Sequence, residues 1–147
     1  FENTGYWFKT NNQVYNLWDA NCSNYGASDN NVVKTIYDPC PVGFKMPNGN
    51  TFTGFYNSSS KANAVGSFNN GWYFKRNAND TTGVFFAATG YRSYTLGTVY
   101  KLSVEGYIWT SAHATAGSAY SLEYKSGAVL LRQQGGGSVY SVRPIQE

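Results

Sequence analysis

The sequence predicts an α+β fold that is mostly β, with one or two short helices near residues 50–65. Three observations predict it. Aromatic residues supply much of the apolar content, with 13 Tyr, 9 Phe and 4 Trp among 147 residues, and such side chains suit a half-buried pleated surface. Several segments alternate apolar and polar residues with period two. Gly, Asn, Ser and Thr are abundant and mark many turns. The length fits a single domain, 1–147, large enough to bury a real core.

The elements follow in order. "GYWFK" (5–9) and "QVYNLWD" (13–19) are short aromatic strands, and "VVKTIY" (32–37) is a β-branched one. "DPCPVGFKMPNG" (38–49) carries three prolines and two glycines and reads as a rigid, extended turn segment. In "NTFTGFYNSSSKANAV" (50–65), Asn50 or Thr51 can cap a short helix, and Phe52, Phe55 and Tyr56 fall at i, i+3, i+4. Gly54 weakens it. "GWYFKR" (71–76), "GVFFAATGYR" (83–92) and "TVYKLSVEGYIWTS" (98–111) continue as strands, and His113 to Ser118 form a loop.

In "SLEYKSGAVLLRQQGGGSVYSVRP" (121–144) the two ends read as strands. Tyr120, Leu122 and Tyr124 alternate with Ser121, Glu123 and Lys125, so the first set is buried and the second exposed. Tyr140 and Val142 alternate with Ser141 and Arg143. Between them Ala128, Leu130, Leu131, Arg132, Gln133 and Gln134 read as irregular.

Composition narrows the function. The formal net charge is +3 and the pI is near 8.8. The Lys and Arg residues are scattered, which suits solubility rather than nucleic acid. No segment is long and apolar enough for a membrane-spanning helix, so no direct membrane insertion is expected. The first residue is Phe rather than Met, which points to a processed form or an excised domain. Nucleophile-elbow, zinc-protease, P-loop and dinucleotide motifs are all missing. The "GGGS" at 135–138 has no following helix to make a phosphate cradle. His113 is the one histidine, without a predicted partner, and the eight acidic residues form no obvious pair. Asp19, Asp29, Asp38 and Asp80 could meet in space, which sequence does not decide. No metal site and no cofactor are expected. Trp109 and Tyr107 could stack on a sugar, core packing of at least one being the plainer reading. Cys22 and Cys40 fit either a disulfide or two free thiols.

One count stands apart. Residues 1–79 contain sixteen asparagines and residues 80–147 contain none. The low β-propensity of Asn explains part of this, yet the loops of the second half lack Asn too.

"KTIYDPCPVGFKMP" (34–47), "FTGF" (52–55), "NGWYF" (70–74), "FFAATGYR" (85–92), "GYIWTS" (106–111) and "YSVRPIQE" (140–147) stand in the same order as in the FISUMP-like (major paralogous) domains, which this chain resembles. The resemblance implies a C-type-lectin-like fold, in which the two ends of the domain share a sheet and the second half is loop-rich; here residues 32–37 would pair with 138–143. It implies an exported, cell-surface or fimbria-associated protein, with a phage virion as the alternative. Such a setting favours a Cys22–Cys40 bond, which would stabilise by roughly 3 kcal/mol through loop closure.

The tail from about 106 to 145 further resembles the variable region of proteins diversified by retroelements, in which template asparagine codons are rewritten. On that resemblance Tyr107, Trp109, Tyr120, Leu122, Tyr124, Tyr140 and Val142 are scaffold. The ligand-binding positions are His113, Ala114, Thr115, Ala116, Ser118, Ser121, Glu123, Lys125, Ala128, Leu130, Arg132, Gln133 and Gln134, converging on one surface. The expected partner is a macromolecule, protein or glycan, with upstream domains or a fimbria as attachment. The acidic and Trp-Asn-Asp motifs of calcium-dependent sugar binding are missing. So are the paired cysteines of the formylglycine-generating enzymes, so no enzymatic activity carries over. A structural fimbrial subunit without a diversified site is the alternative function.

Overall fold

The computed structural model describes residues 16–27, 30–55, 64–65, 67–75, 79, 81–115 and 117–147. Within them the chain is mostly strand. In chain order come β1 (Phe44–Lys45), a single 3-10 turn (Thr53–Phe55), β2 (Ala64–Val65), β3 (Gly71–Phe74), β4 (Val84–Ala87), β5 (Tyr91–Arg92), β6 (Val99–Tyr100), β7 (Glu105–Thr115), β8 (Ser118–Lys125), β9 (Ala128–Gly135) and β10 (Ile145–Gln146). They form four small antiparallel sheets: β1–β10, β2–β3–β4, β5–β6 and β7–β8–β9.

The β7–β8–β9 sheet separates two cores. On one face Ile108, Leu122, Tyr124 and Val129 pack with Phe52, Trp72, Phe74 and Phe86. The β3–β4 register sets Trp72 opposite Phe86, and Trp72 Nε1 donates to Lys125 O at 2.9 Å, tying that sheet to β8. Gly71 is required there. Its φ is +152°, and a Cβ would lie 2.2 Å from Phe86 O. Gly106 on β7 makes room for Tyr124 in the same way, since a Cβ would meet its ring at 2.0 Å. On the other face Trp109 and Ala119 pack with Leu17, Trp18, Cys40 and Met46.

This second core rests on the 34–46 segment, which two charged groups hold in shape. The Asp38 carboxylate accepts Cys40 N–H at 2.7 Å and Met46 N–H at 3.0 Å. Lys34 Nζ donates to the carbonyls of Cys40, Pro41 and Phe44 at 2.5, 2.8 and 2.7 Å. Pro39 and Pro41 remove N–H donors from this segment, so side chains do the work a ladder would otherwise do.

Several expectations are corrected. The helix near 50–65 is one 3-10 turn, with residues 56–63 outside the described set. Asn48 organises the turn that leads into it, its Oδ1 accepting from Asn50 N–H and Thr51 Oγ1. Residues 32–37 are not a strand. Lys34 makes an isolated bridge to Asp19, while Ile36 and Tyr37 are exposed. The pairing of 32–37 with 138–143 does not form. The C-terminal segment pairs instead with β1, through Phe44–Gln146 and Lys45–Ile145, while Val139 and Ser141 bridge Arg92 and Ile108. The 38–49 turn segment thus contains β1. Segment 5–9 and residues 13–15 lie outside the described residues, and 16–19 contributes only the Asp19 bridge. Cys22 and Cys40 are free thiols rather than a disulfide. Burial raises both thiol pKa values, that of Cys40 to about 12.

Candidate functional site

β9 is the main surprise. Residues 128–135 were expected to be irregular, yet they form an eight-residue strand paired with β8 at every position from Lys125↔Ala128 to Ser118↔Gly135. Low β-propensity in "RQQG" hid it. Backbone pairing with an already formed neighbour supplies what the side chains do not. Among the described residues β9 lies at the sheet edge, with β8 between it and β7.

Both faces of β8 are covered, Leu122 and Tyr124 lying in one core and Ala119 in the other. This overturns the expectation that Ser121, Glu123 and Lys125 form an exposed face. Ser121 is fully buried and Glu123 is 6% exposed, with only Lys125 half-exposed. The Glu123 carboxylate lies under a polar roof. Lys125 Nζ reaches Oε1 at 3.3 Å, Arg132 Nε stands 3.8 Å from Oε2, and Gln134 Nε2 donates to Oε2 at 3.3 Å. Gln134 Oε1 in turn accepts from Tyr140 OH at 3.2 Å. Register places Leu130 opposite Glu123 and Ala128 opposite Lys125, on this same face.

The expected single surface is in fact two. Leu130, Arg132 and Gln134 gather around Glu123, whereas Gln133 turns to the opposite face. There its Nε2 donates to Ser118 Oγ at 2.8 Å and approaches Thr115 Oγ1 at 3.4 Å. Thr115 and Ser118 hydroxyls are 2.5 Å apart. The expected 113–118 loop is instead mostly strand. β7 runs to Thr115 with register shifts on either side of His113, and β8 resumes at Ser118. Ala114 is half-buried, and Ala116 lies outside the described residues. His113 is 2% exposed and cannot be a surface contact. Its ring lies 6.0 Å from that of Trp18, and burial lowers its pKa to about 4.

The scaffold residues pack largely as expected. Tyr107 and Trp109 share one face, where Tyr140 lies across both at centroid distances of 4.8 and 4.4 Å. They are thus closed to a sugar. Tyr107 OH donates to Glu105 Oε2 at 2.5 Å, and burial chiefly, then this bond, raises its pKa. Burial raises Tyr140 to about 12. Leu122 and Tyr124 are buried, Tyr140 and Val142 partly so, and Tyr120 is half-exposed.

A second feature was missed from sequence. Arg143, assigned only to an outward strand position, lies over the Phe86 ring at 4.1 Å and lines a shallow cleft of about 220 Å³ with Thr89, Ile108, Tyr124 and Ser141. The cleft joins β4, β7 and the 139–143 segment, which no local pattern could bring together. Among the described residues no group of three or more His, Cys, Asp or Glu is arranged to hold a metal.

In comparison with known proteins, the chain matches no family model, no curated protein and no solved structure.

Proposed function

We propose that the chain is a ligand-binding module of the C-type-lectin-like type, displaying a changeable surface at a bacterial cell surface or on a phage, as an adhesin or receptor-binding tip. The observation that carries this reading is the β8–β9 hairpin. All eight positions of β9 are fixed by backbone pairing, while Leu130, Arg132, Gln133 and Gln134 keep solvent access. The backbone therefore does not depend on which side chains stand there. That is the economy of a paratope, in which a rigid frame carries replaceable contacts. Lys125, Ala128 and Thr115 extend the surface, and the buried Ser121, Glu123 and His113 support it rather than belong to it. The ligand is a macromolecule, protein or glycan. The asparagine-free second half supports a rewritten tail.

The test is a library randomised at Lys125, Ala128, Leu130, Arg132, Gln133 and Gln134. Most members are expected to stay folded with a modestly lowered melting temperature, because substitutions at the exposed Arg132 and Gln133 usually cost less than about 0.5 kcal/mol and the half-buried Lys125, Ala128, Leu130 and Gln134 lie outside both cores. Wholesale unfolding of the library would sink the proposal. In the coding sequence, a nearby repeat matching the tail except at adenines, beside a reverse-transcriptase gene, is the expected genetic signature.

A second reading, a structural subunit that packs against its neighbours, has one observation in its favour. Leu96, Val99, Leu102 and Val104 are each more than half exposed and cluster around β6. Concentration-dependent assembly lost on replacing Leu96 and Leu102 by Ser would favour it.

A further inference from the structure

We propose that the Arg143 cleft is a binding site for a small carboxylate carried on a flat apolar stem, separate from the β9 surface. Arg143 is half-buried as a residue, with its guanidinium over the Phe86 ring. One of its five N–H groups is accounted for, Nη1 donating to Phe85 O at 3.2 Å. Among the described residues no carboxylate pairs with it, whereas Arg132 stands against Glu123. No acidic side chain lines the cleft. The guanidinium thus presents most of its planar fork, the geometry that binds a carboxylate through two parallel bonds.

A second donor lies in the same cleft. Thr89 Oγ1 and Ser141 Oγ are 2.9 Å apart, so one hydroxyl donates to the other. The acceptor of that bond keeps its own proton for a ligand. Tyr124 OH does not compete, because it donates to Ala87 O at 2.6 Å. The floor is apolar and rigid, made by Ile108, Phe86 and the Tyr124 ring, all less than 5% exposed. The volume of about 220 Å³ suits a single small ring and excludes an oligosaccharide.

The probe is benzoate, with benzamide as its uncharged isostere and glucuronate as a carboxylate without an apolar stem. Each is titrated into the ¹⁵N-labelled chain while the Arg143 Nε–H and the Ser141 and Thr89 amides are followed by NMR. Benzoate is expected to give saturable shifts at these groups with a Kd on the order of millimolar. Benzamide and glucuronate are expected to bind at least about tenfold more weakly. Arg143→Gln should weaken benzoate by a similar factor. The double variant Thr89→Val, Ser141→Ala, which removes both hydroxyls and leaves the cation in place, should weaken it about threefold. Unsaturable shifts, equal binding of benzamide, glucuronate or the Arg143→Gln variant, or undiminished binding by the double variant would each overturn the proposal. Should Arg143→Gln fail to fold, the double-variant and benzamide arms decide alone. β9 variants should leave benzoate binding unchanged, so failure here and failure of the variable-surface reading are told apart.

Discussion

Burial holds the His113 imidazole at a pKa of about 4, against an ordinary value of 6.5. In the unfolded chain His113 takes up a proton as pH falls through 6.5, and in the folded chain it does not until about pH 4. Stability is therefore fully present above pH 6.5 and is lost as pH falls from 6.5 towards 4. The shift converts to a loss on the order of 3 kcal/mol by the bottom of that window. Urea melts between pH 7 and 5 avoid most carboxylate titration. The wild type is expected to weaken across this range, and His113→Gln to stay flat; parallel slopes would show that the imidazole is not the cause. Nothing in the sequence revealed this burial. A histidine among Ala, Thr and Ser reads as loop, and only the continuation of β7 past Ser111 carries it beneath Trp18.

Among the elements, β7, β8 and β9 differ in what they ask of their residues. Tyr124 and Trp109 each serve a core, and truncation to Ala is expected to cost about 3–5 kcal/mol. Arg132→Ala on β9 should stay within about 0.5 kcal/mol, and the half-buried Leu130→Ala should cost about 1 kcal/mol. Glu123→Ala falls between, because it removes a shared partner of Lys125, Arg132 and Gln134. Thermal melts of the five variants should give that ranking, and a β9 variant that unfolds as readily as Trp109→Ala would place β9 in the core. The sequence disclosed β3, β4 and β7, and the buried alternation of Leu122 and Tyr124, because aromatic and branched side chains repeat there with period two. It misled at Ser121 and Glu123. Alternation implies an exposed face only for a sheet covered on one side, and this sheet is covered on both. β9 was illegible because its regularity comes from its neighbour.

At the scale of the molecule, the C-terminal strand β10 is joined to β1 at Phe44–Lys45, while the two cores share one sheet. A pairing of residues 32–37 with 138–143 was anticipated, and neither segment takes part in the one that forms. "VVKTIY" has strand-forming composition, yet its Lys34 is committed to the turn that follows. In the language of ionophores, the carbonyls of Cys40, Pro41 and Phe44 form half a coordination shell around a compact cation, and the ion is tethered to the chain as an ammonium. All three ammonium protons are used, so the site is saturated. A planar guanidinium cannot point three protons at one such shell. Lys34→Arg, though it keeps the charge, is therefore expected to cost about 1–2 kcal/mol. Lys34→Ala would leave the shell without its ion, and its melting temperature should then rise with methylammonium chloride more than with tetramethylammonium chloride, which has no proton to donate. Equal responses to the two salts would mean that the oxygens do not act as a shell.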